Sequence, residues 1–441
     1  MTSTSRLASS DPQLSQLELQ RQQMQQWLQD CRVGTLALFQ NVDTETFRQQ
    51  IHPEFSPIGW HLGHIAFSEG LWILEHCAGQ PPLFPQYRRL LAADGLPKAE
   101  RCNLPNFEEI CEYLEAVRAE VLQYLQIAPL DQQERLWHWL LQHESQHSET
   151  ISFLLQLHRW TSGAKPQPKL QPPQLQAAPR TWGEMICIPA GSFEQGNDSL
   201  DAIDNERPVH LVHLDTYWID RYPVTNEQYR RFIAAGGYDH SEWWSTAGWQ
   251  WRQTNTITQP LYWQDEPAWA DHPVCGVSCH EAEAYARFIG KRLPTEAEWE
   301  KAASWHPQTQ QRQTYPWGEI FPSAEQCNHD HLQGQTTAVD AYPSGQSPYG
   351  CYDMLGNVWE WTASWFDGYD GFEFYPYRGY SQVYFDGQHR VLRGGSWVTR
   401  PWGLRSAFRN WYDPGTRQIL AGFRCAQDVE PAIAASDGPE A

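Results

Sequence analysis

Residues 162–180 (SGAKPQPKLQPPQLQAAPR) divide this chain into two parts of different character. The prolines remove backbone donors and fix φ, so no helix continues through the stretch, and it reads as an extended linker. Before it, apolar residues recur at helical spacing. After it, short β-type runs alternate with Gly, Asn and Asp. A length of 441 residues already exceeds one ordinary domain. The expected organisation is a disordered Ser/Thr-rich N-terminus over 1–12, a helical domain over 13–160 and a linker over 161–181. A second domain follows over 182–428, with a tail over 429–441.

The first part reads as four long helices: residues 14–40, 61–77, 106–126 and 130–157. Asn106 with Glu109 has the spacing of a capping box, and Asp43 or Thr44 suits a cap for a short segment. Four such helices joined by loops predict an up-and-down bundle. In the second part, residues 185–189 and 209–219 read as strands. Residues 225–235, 279–289 and 295–304 read as helices, the last opened by Thr295 with Glu298 three positions on. The remainder is Gly/Trp-rich loop and short strand, an α+β domain held together by side chains.

The last helix of the bundle carries His143-Glu144-Ser145-Gln146-His147. Histidines four apart lie on one helix face, close enough to share a metal ion. The spelling is also the H-E-x-x-H of zinc hydrolases, in which the glutamate is the general base. An earlier helix offers His61 and His64, and either could complete a three-nitrogen site. Three imidazoles with open positions suit iron(II). In an iron site, Glu144 is expected to be an ordinary helix residue or to orient an imidazole from behind.

Composition narrows the partners. The formal net charge of −21 argues against nucleic acid or an anionic membrane surface. No run of apolar residues is long enough to span a membrane. The 10 cysteines include no CxxC pair, which disfavours a disulfide framework, and no signal-peptide pattern opens the chain. A soluble, cytoplasmic setting is expected.

The second part resembles the formylglycine-generating-enzyme (sulfatase-modifying factor) domain, a C-type-lectin-like fold. The resemblance rests on Pro189-Ala190-Gly191-Ser192-Phe193, Val224-Thr225-Asn226 and Arg292-Leu293-Pro294-Thr295-Glu296-Ala297-Glu298-Trp299-Glu300. It continues through Gly356-Asn357-Val358-Trp359-Glu360-Trp361, Arg393-Gly394-Gly395-Ser396-Trp397 and Gly422-Phe423-Arg424. In formylglycine-generating enzymes a catalytic cysteine pair lies between the last two motifs. Here residues 397–419 contain no cysteine, so cysteine-to-formylglycine chemistry is not expected.

The first part resembles the DinB-like four-helix bundle, with His64, His143 and His147 as metal ligands. His64 is preferred to His61 because the family places the ligand at the end of Trp60-His61-Leu62-Gly63-His64. A DinB-like bundle joined to a formylglycine-enzyme-like domain is similar to the ergothioneine-biosynthesis sulfoxide synthases. That resemblance implies a non-haem iron(II) oxidoreductase with its site between the domains. Such enzymes use O2 to join the sulfur of γ-glutamylcysteine or cysteine to C2 of the hercynine imidazole, leaving a sulfoxide. Related synthases act on histidine C5 in ovothiol biosynthesis or on a selenosugar. A zinc hydrolase and a metal-free binding module are the alternatives of other classes.

The resemblance also implies roles for further residues. Gln146, Asn410 and Trp411 would contact hercynine, whose quaternary ammonium favours an aromatic face and neutral polar groups. Within the aromatic loop 372–385, Tyr380, then Tyr377, would be the catalytic phenol, with Tyr87 a weaker candidate. Lys98 and Arg101 would hold the carboxylates of the thiol. The family's pattern there is two arginines, and Tyr412 stands where the γ-glutamylcysteine-using subgroup has Asp. Both departures leave free cysteine open as the donor.

Overall fold

The computed structural model describes residues 16–164 and 183–429. The N-terminus over 1–12, most of the linker and nearly all of the tail lie outside the described residues. The chain divides into two compact units, residues 1–148 and 149–441. The division falls inside one long helix rather than in the Pro/Gln stretch.

The first unit begins with α1 (Gln16–Ala37) and the short α2 (Thr44–Arg48), capped by the Asp43 side chain. Next comes α3 (Ile58–Glu69), which starts three residues earlier than expected and runs on into a π-helical segment, Gly70–Cys77. A short α4 (Arg88–Leu91) precedes α5 (Phe107–Leu125), where Asn106 and Glu109 form the expected capping box. The unit's last helix, α6 (Leu130–Thr161), continues into the second unit.

All twelve residues of α3 are buried. A helix apolar all round is a core helix. The polar side chains that α3 nevertheless carries, His61, His64, Ser68 and Glu69, are therefore out of bulk water and need partners inside the protein.

In the second unit the run 209–219 is two strands, not one. The strands are β1 (Met185–Ile188), β2 (Gly191–Gln195), β3 (His210–Leu214) and β4 (Tyr217–Asp220). β3 pairs with β2, whereas β4 pairs antiparallel with β1. The break at Asp215-Thr216 is fixed by Thr216 Oγ1, which accepts from the Ala190 amide at 3.0 Å. Helices α7 (Asn226–Ala234), α8 (Thr246–Thr254), α9 (Cys279–Phe288) and α10 (Glu296–Ser304) follow. Of these, α8 had no expectation from sequence.

After a small β5–β6 pair (Trp305–His306 and Gln311–Arg312) come β7 (Trp359–Trp365), β8 (Arg390–Arg393), β9 (Asn410–Tyr412), β10 (Ala421–Gly422) and β11 (Ala426–Asp428). One sheet has the order β1-β4-β11 and another β10-β7-β8-β9. Buried ion pairs tie the loops to this frame, among them Arg393–Glu300 at 2.6 Å, Arg424–Glu360 at 2.6 Å and Arg409–Glu296 at 3.0 Å. All ten cysteines are thiols. No helix among the described residues is long and apolar enough to cross a membrane.

Candidate metal centre and aromatic shelf

His64 on α3 and His143 and His147 on α6 form the metal-competent cluster among the described residues. One ligand atom from each lies within 4.8 Å of the others. His64 Nδ1–H donates to the Leu91 carbonyl at 2.6 Å, which leaves Nε2 as the ligand nitrogen, with Ser68 Oγ 3.3 Å from it. His143 Nε2 and His147 Nε2 are 3.2 Å apart. Two imidazole nitrogens on one ion, each about 2.1 Å from it, sit roughly 3.0–3.4 Å apart. The spacing therefore fits two ligands of one metal.

Protonation favours the same use. Burial, aided by the positive Arg101 and opposed by the Leu91 carbonyl, lowers His64 to about 4. Burial and the neighbouring imidazoles push His143 and His147 well below the usual histidine range. All three are neutral at physiological pH, with lone pairs available to a cation. Trp60 stacks on His64 with centroids 4.6 Å apart, and the Arg101 guanidinium lies 4.1 Å from the Trp60 ring centroid.

Glu144 does not brace an imidazole. Its carboxylate accepts from Arg32 Nε at 2.9 Å, Thr35 Oγ1 at 2.9 Å and Arg118 Nη2 at 3.0 Å. Arg32 also meets Glu69 at 2.9 Å, and Arg118 Nε donates to Glu69 as well. Two arginines and two glutamates thus alternate in a closed, buried ring linking α1, α3, α5 and α6. Burial would raise Glu144, but Arg32 and Arg118 outweigh it and hold the group at about 2. A carboxylate so committed is a poor general base at neutral pH, which removes the group a zinc hydrolase needs. Sequence reasoning missed Arg32, Glu69 and Arg118. The available signal was Arg32 interrupting the buried stripe of Met24, Leu28, Cys31 and Thr35.

The first unit also holds the expected cations. Arg101 is buried and donates to Leu96 O at 2.9 Å and Ser56 Oγ at 2.9 Å, while Lys98 Nζ donates to Glu54 O at 2.6 Å. Gln146 is half-buried beside His147. Tyr87 stacks on Phe84 with centroids 6.0 Å apart.

In the second unit the other expected residues gather around Trp411 on β9. Its ring stacks on Phe366 with centroids 4.3 Å apart, and Tyr380 meets it edge-on at 6.4 Å. Tyr377 lies 6.3 Å from Tyr380. Asn410 Oδ1 accepts from the Trp411 amide at 2.9 Å, and burial followed by the Glu149 charge pushes the Tyr412 phenol upward. The loop bearing both tyrosines is anchored by buried Asp204 and Asn205. Ser381 Oγ donates to Asp204 Oδ1 at 2.5 Å, and Asn205 Nδ2 donates to Ser381 at 2.9 Å. Those two anchors lie far away in sequence and were not foreseen.

A helical bundle with a largely buried histidine triad, followed by a loop-rich α+β domain, defines a two-domain metalloenzyme. Residues 16–151 match the DinB superfamily, and residues 171–429 match the sulfatase-modifying factor enzyme 1-like domain. The hercynine oxygenase of Mycolicibacterium smegmatis is 39% identical over 420 residues, covering 90% of this chain and 97% of that protein. That of Mycobacterium tuberculosis is 40% identical, with 90% and 97% covered. Among solved structures, PvdO from Pseudomonas aeruginosa is 26% identical and covers 56% of this chain and 94% of its own, at a TM-score of 0.42. The chain belongs to the hercynine oxygenase family.

Proposed function

We propose that this protein is an iron(II)- and O2-dependent sulfoxide synthase. It would join a thiol sulfur, from cysteine or γ-glutamylcysteine, to C2 of the hercynine imidazole in ergothioneine biosynthesis. The observation that carries the reading is the neutral triad of buried His64 and His143 with half-buried His147, one pair of Nε2 atoms lying 3.2 Å apart, in a chain similar to hercynine oxygenases over nearly their whole length. Iron(II) held by those nitrogens supplies the electron transfers that let O2 react with a thiol.

The chain's own groups do the rest. Leu91 O keeps the His64 proton on Nδ1, and burial of His64 and His143 limits competition from water. Trp411, Asn410 and Gln146 would receive hercynine, the indole facing the quaternary ammonium. Tyr380, or Tyr377 in its place, would be the phenol that supplies a proton during the reaction. Lys98 and Arg101 would hold the thiol's carboxylate, and Tyr412 would limit the room for a γ-glutamyl extension. The net charge of −21 speaks for small-molecule partners over nucleic acid, and free thiols throughout fit a cytoplasmic setting.

The test is anaerobic loading with iron(II), then O2, hercynine and each thiol separately, with products read by mass spectrometry. A hercynyl sulfoxide from one thiol supports the reading and names the donor. No coupled product from either thiol, with oxygen uptake at background, overturns it.

A further inference from the structure

His61 has no role in the reading above, yet it touches the triad. Its Nδ1 lies 2.8 Å from His147 Nδ1, so a single proton is shared between the two nitrogens. On the far side of that ring, His147 Nε2 is 3.2 Å from His143 Nε2. If both Nε2 lone pairs serve one ion, neither nitrogen carries a proton, and the only ring proton of neutral His147 sits on Nδ1. His147 Nδ1–H then donates to His61 Nδ1. The proton of His61 must therefore be on its Nε2, and that atom is buried without a partner.

We propose that His61 is a positioning residue: its Nδ1 accepts from His147 Nδ1–H, locking the tautomer and ring angle that aim His147 Nε2 at the metal. The inference rests on the metal-site reading of the triad. It also explains why His61 is not a fourth ligand, since the nitrogen facing the cluster is taken up by His147. His64 shows the same device in simpler form, its Nδ1–H being held by the Leu91 carbonyl. Metal-bound imidazoles are commonly braced in this way through their other nitrogen. The placement is economical, because His61 and His64 lie one turn apart on α3, so one fully buried helix supplies a ligand and the brace for another. Trp60 fixes the brace, meeting the His61 ring edge-on at a centroid distance of 5.3 Å.

Two full-length variants and cobalt(II) as the probe test this. In His61→Asn the amide oxygen stands as many bonds from the backbone as Nδ1 and keeps an acceptor. His61→Leu keeps bulk and removes it. Under anaerobic titration His61→Leu should bind cobalt(II) roughly 10–100-fold more weakly than wild type, and His61→Asn within about threefold of it. In proton NMR of the wild-type cobalt protein, each bound imidazole gives a shifted exchangeable N–H signal. The His147 signal should persist in the Asn variant and be lost to solvent exchange in the Leu variant, while the His64 signal stays. Equal affinity of the Leu variant and wild type overturns the inference, as does an Asn variant as weak as Leu. Failure of wild type itself to bind cobalt(II) overturns the metal-site reading, and this inference with it.

Discussion

Replacing Glu144 with Gln tests what the H-E-x-x-H glutamate is for. In the structure this carboxylate is one corner of a buried ring with Arg32, Glu69 and Arg118. Its removal leaves two arginines facing one glutamate in a dry environment. The two arginines hold Glu144 at about 2 against burial, and the gap between that and the ordinary 4.5 is worth about 3 kcal/mol. Breaking a buried ion pair on one side costs roughly 3–5 kcal/mol, a range that contains the same figure. Because the folded value is depressed, this contribution is fully present above pH 4.5 and fades as pH falls towards 2, so neutral pH shows it in full. The assay is denaturant unfolding of the metal-free full-length protein, followed by the helical circular-dichroism signal that the bundle dominates. A loss of about 3–5 kcal/mol is expected. A variant within about 0.5 kcal/mol of wild type would refute the ring, and a concurrent loss of hydrolytic turnover would restore the general-base role.

Two further outcomes follow from the same geometry. His61 is lowered to about 3 and His64 to about 4, mainly by burial, and His143 and His147 fall well below 6.5. The unfolded chain takes up protons below pH 6.5 while the folded one does not. Metal-free protein should therefore lose stability as pH drops from about 7 to about 5, by up to about 1.4 kcal/mol per pH unit for each histidine; denaturation midpoints that stay level across that range would contradict it. Gly63→Ala places a methyl 2.8 Å from Leu91 Cδ2, in the residue whose carbonyl holds His64. It should cost roughly 1–3 kcal/mol and weaken metal uptake, and a variant with wild-type stability and uptake would show that Leu91 does not fix His64.

The histidine cluster was legible because two of its members share one helix at i, i+4 and the third closes the Trp60–His64 segment. The change from a helical to a loop-rich chain was legible from hydrophobic spacing and from capping boxes such as Thr295 with Glu298, whereas the division itself falls inside α6, ahead of the Pro/Gln stretch. What stayed hidden depends on distance along the chain. Arg32 meets partners 37 and 112 positions away, and Asp204 holds a loop 177 positions away. No local pattern carries such pairings. The orienting role offered for Glu144 fails for the same reason: its neighbours in sequence are histidines, but its neighbours in space are arginines. The run 209–219 misled because both of its strands are β-type, and only the Thr216 contact reveals that they join different sheets.

The proposed reaction uses O2 to join a thiol sulfur to the hercynine ring. In that reaction a thiol S–H, an imidazole C–H and O2 give a sulfoxide and water, so one oxygen atom goes to sulfur and the other to water. Iron(II)-loaded protein should therefore be supplied with hercynine, the productive thiol and isotopically heavy O2 in ordinary water, and the product weighed. A coupled sulfoxide carrying one heavy oxygen is the predicted result. Unchanged hercynine, or a product whose oxygen comes from water, would contradict the account.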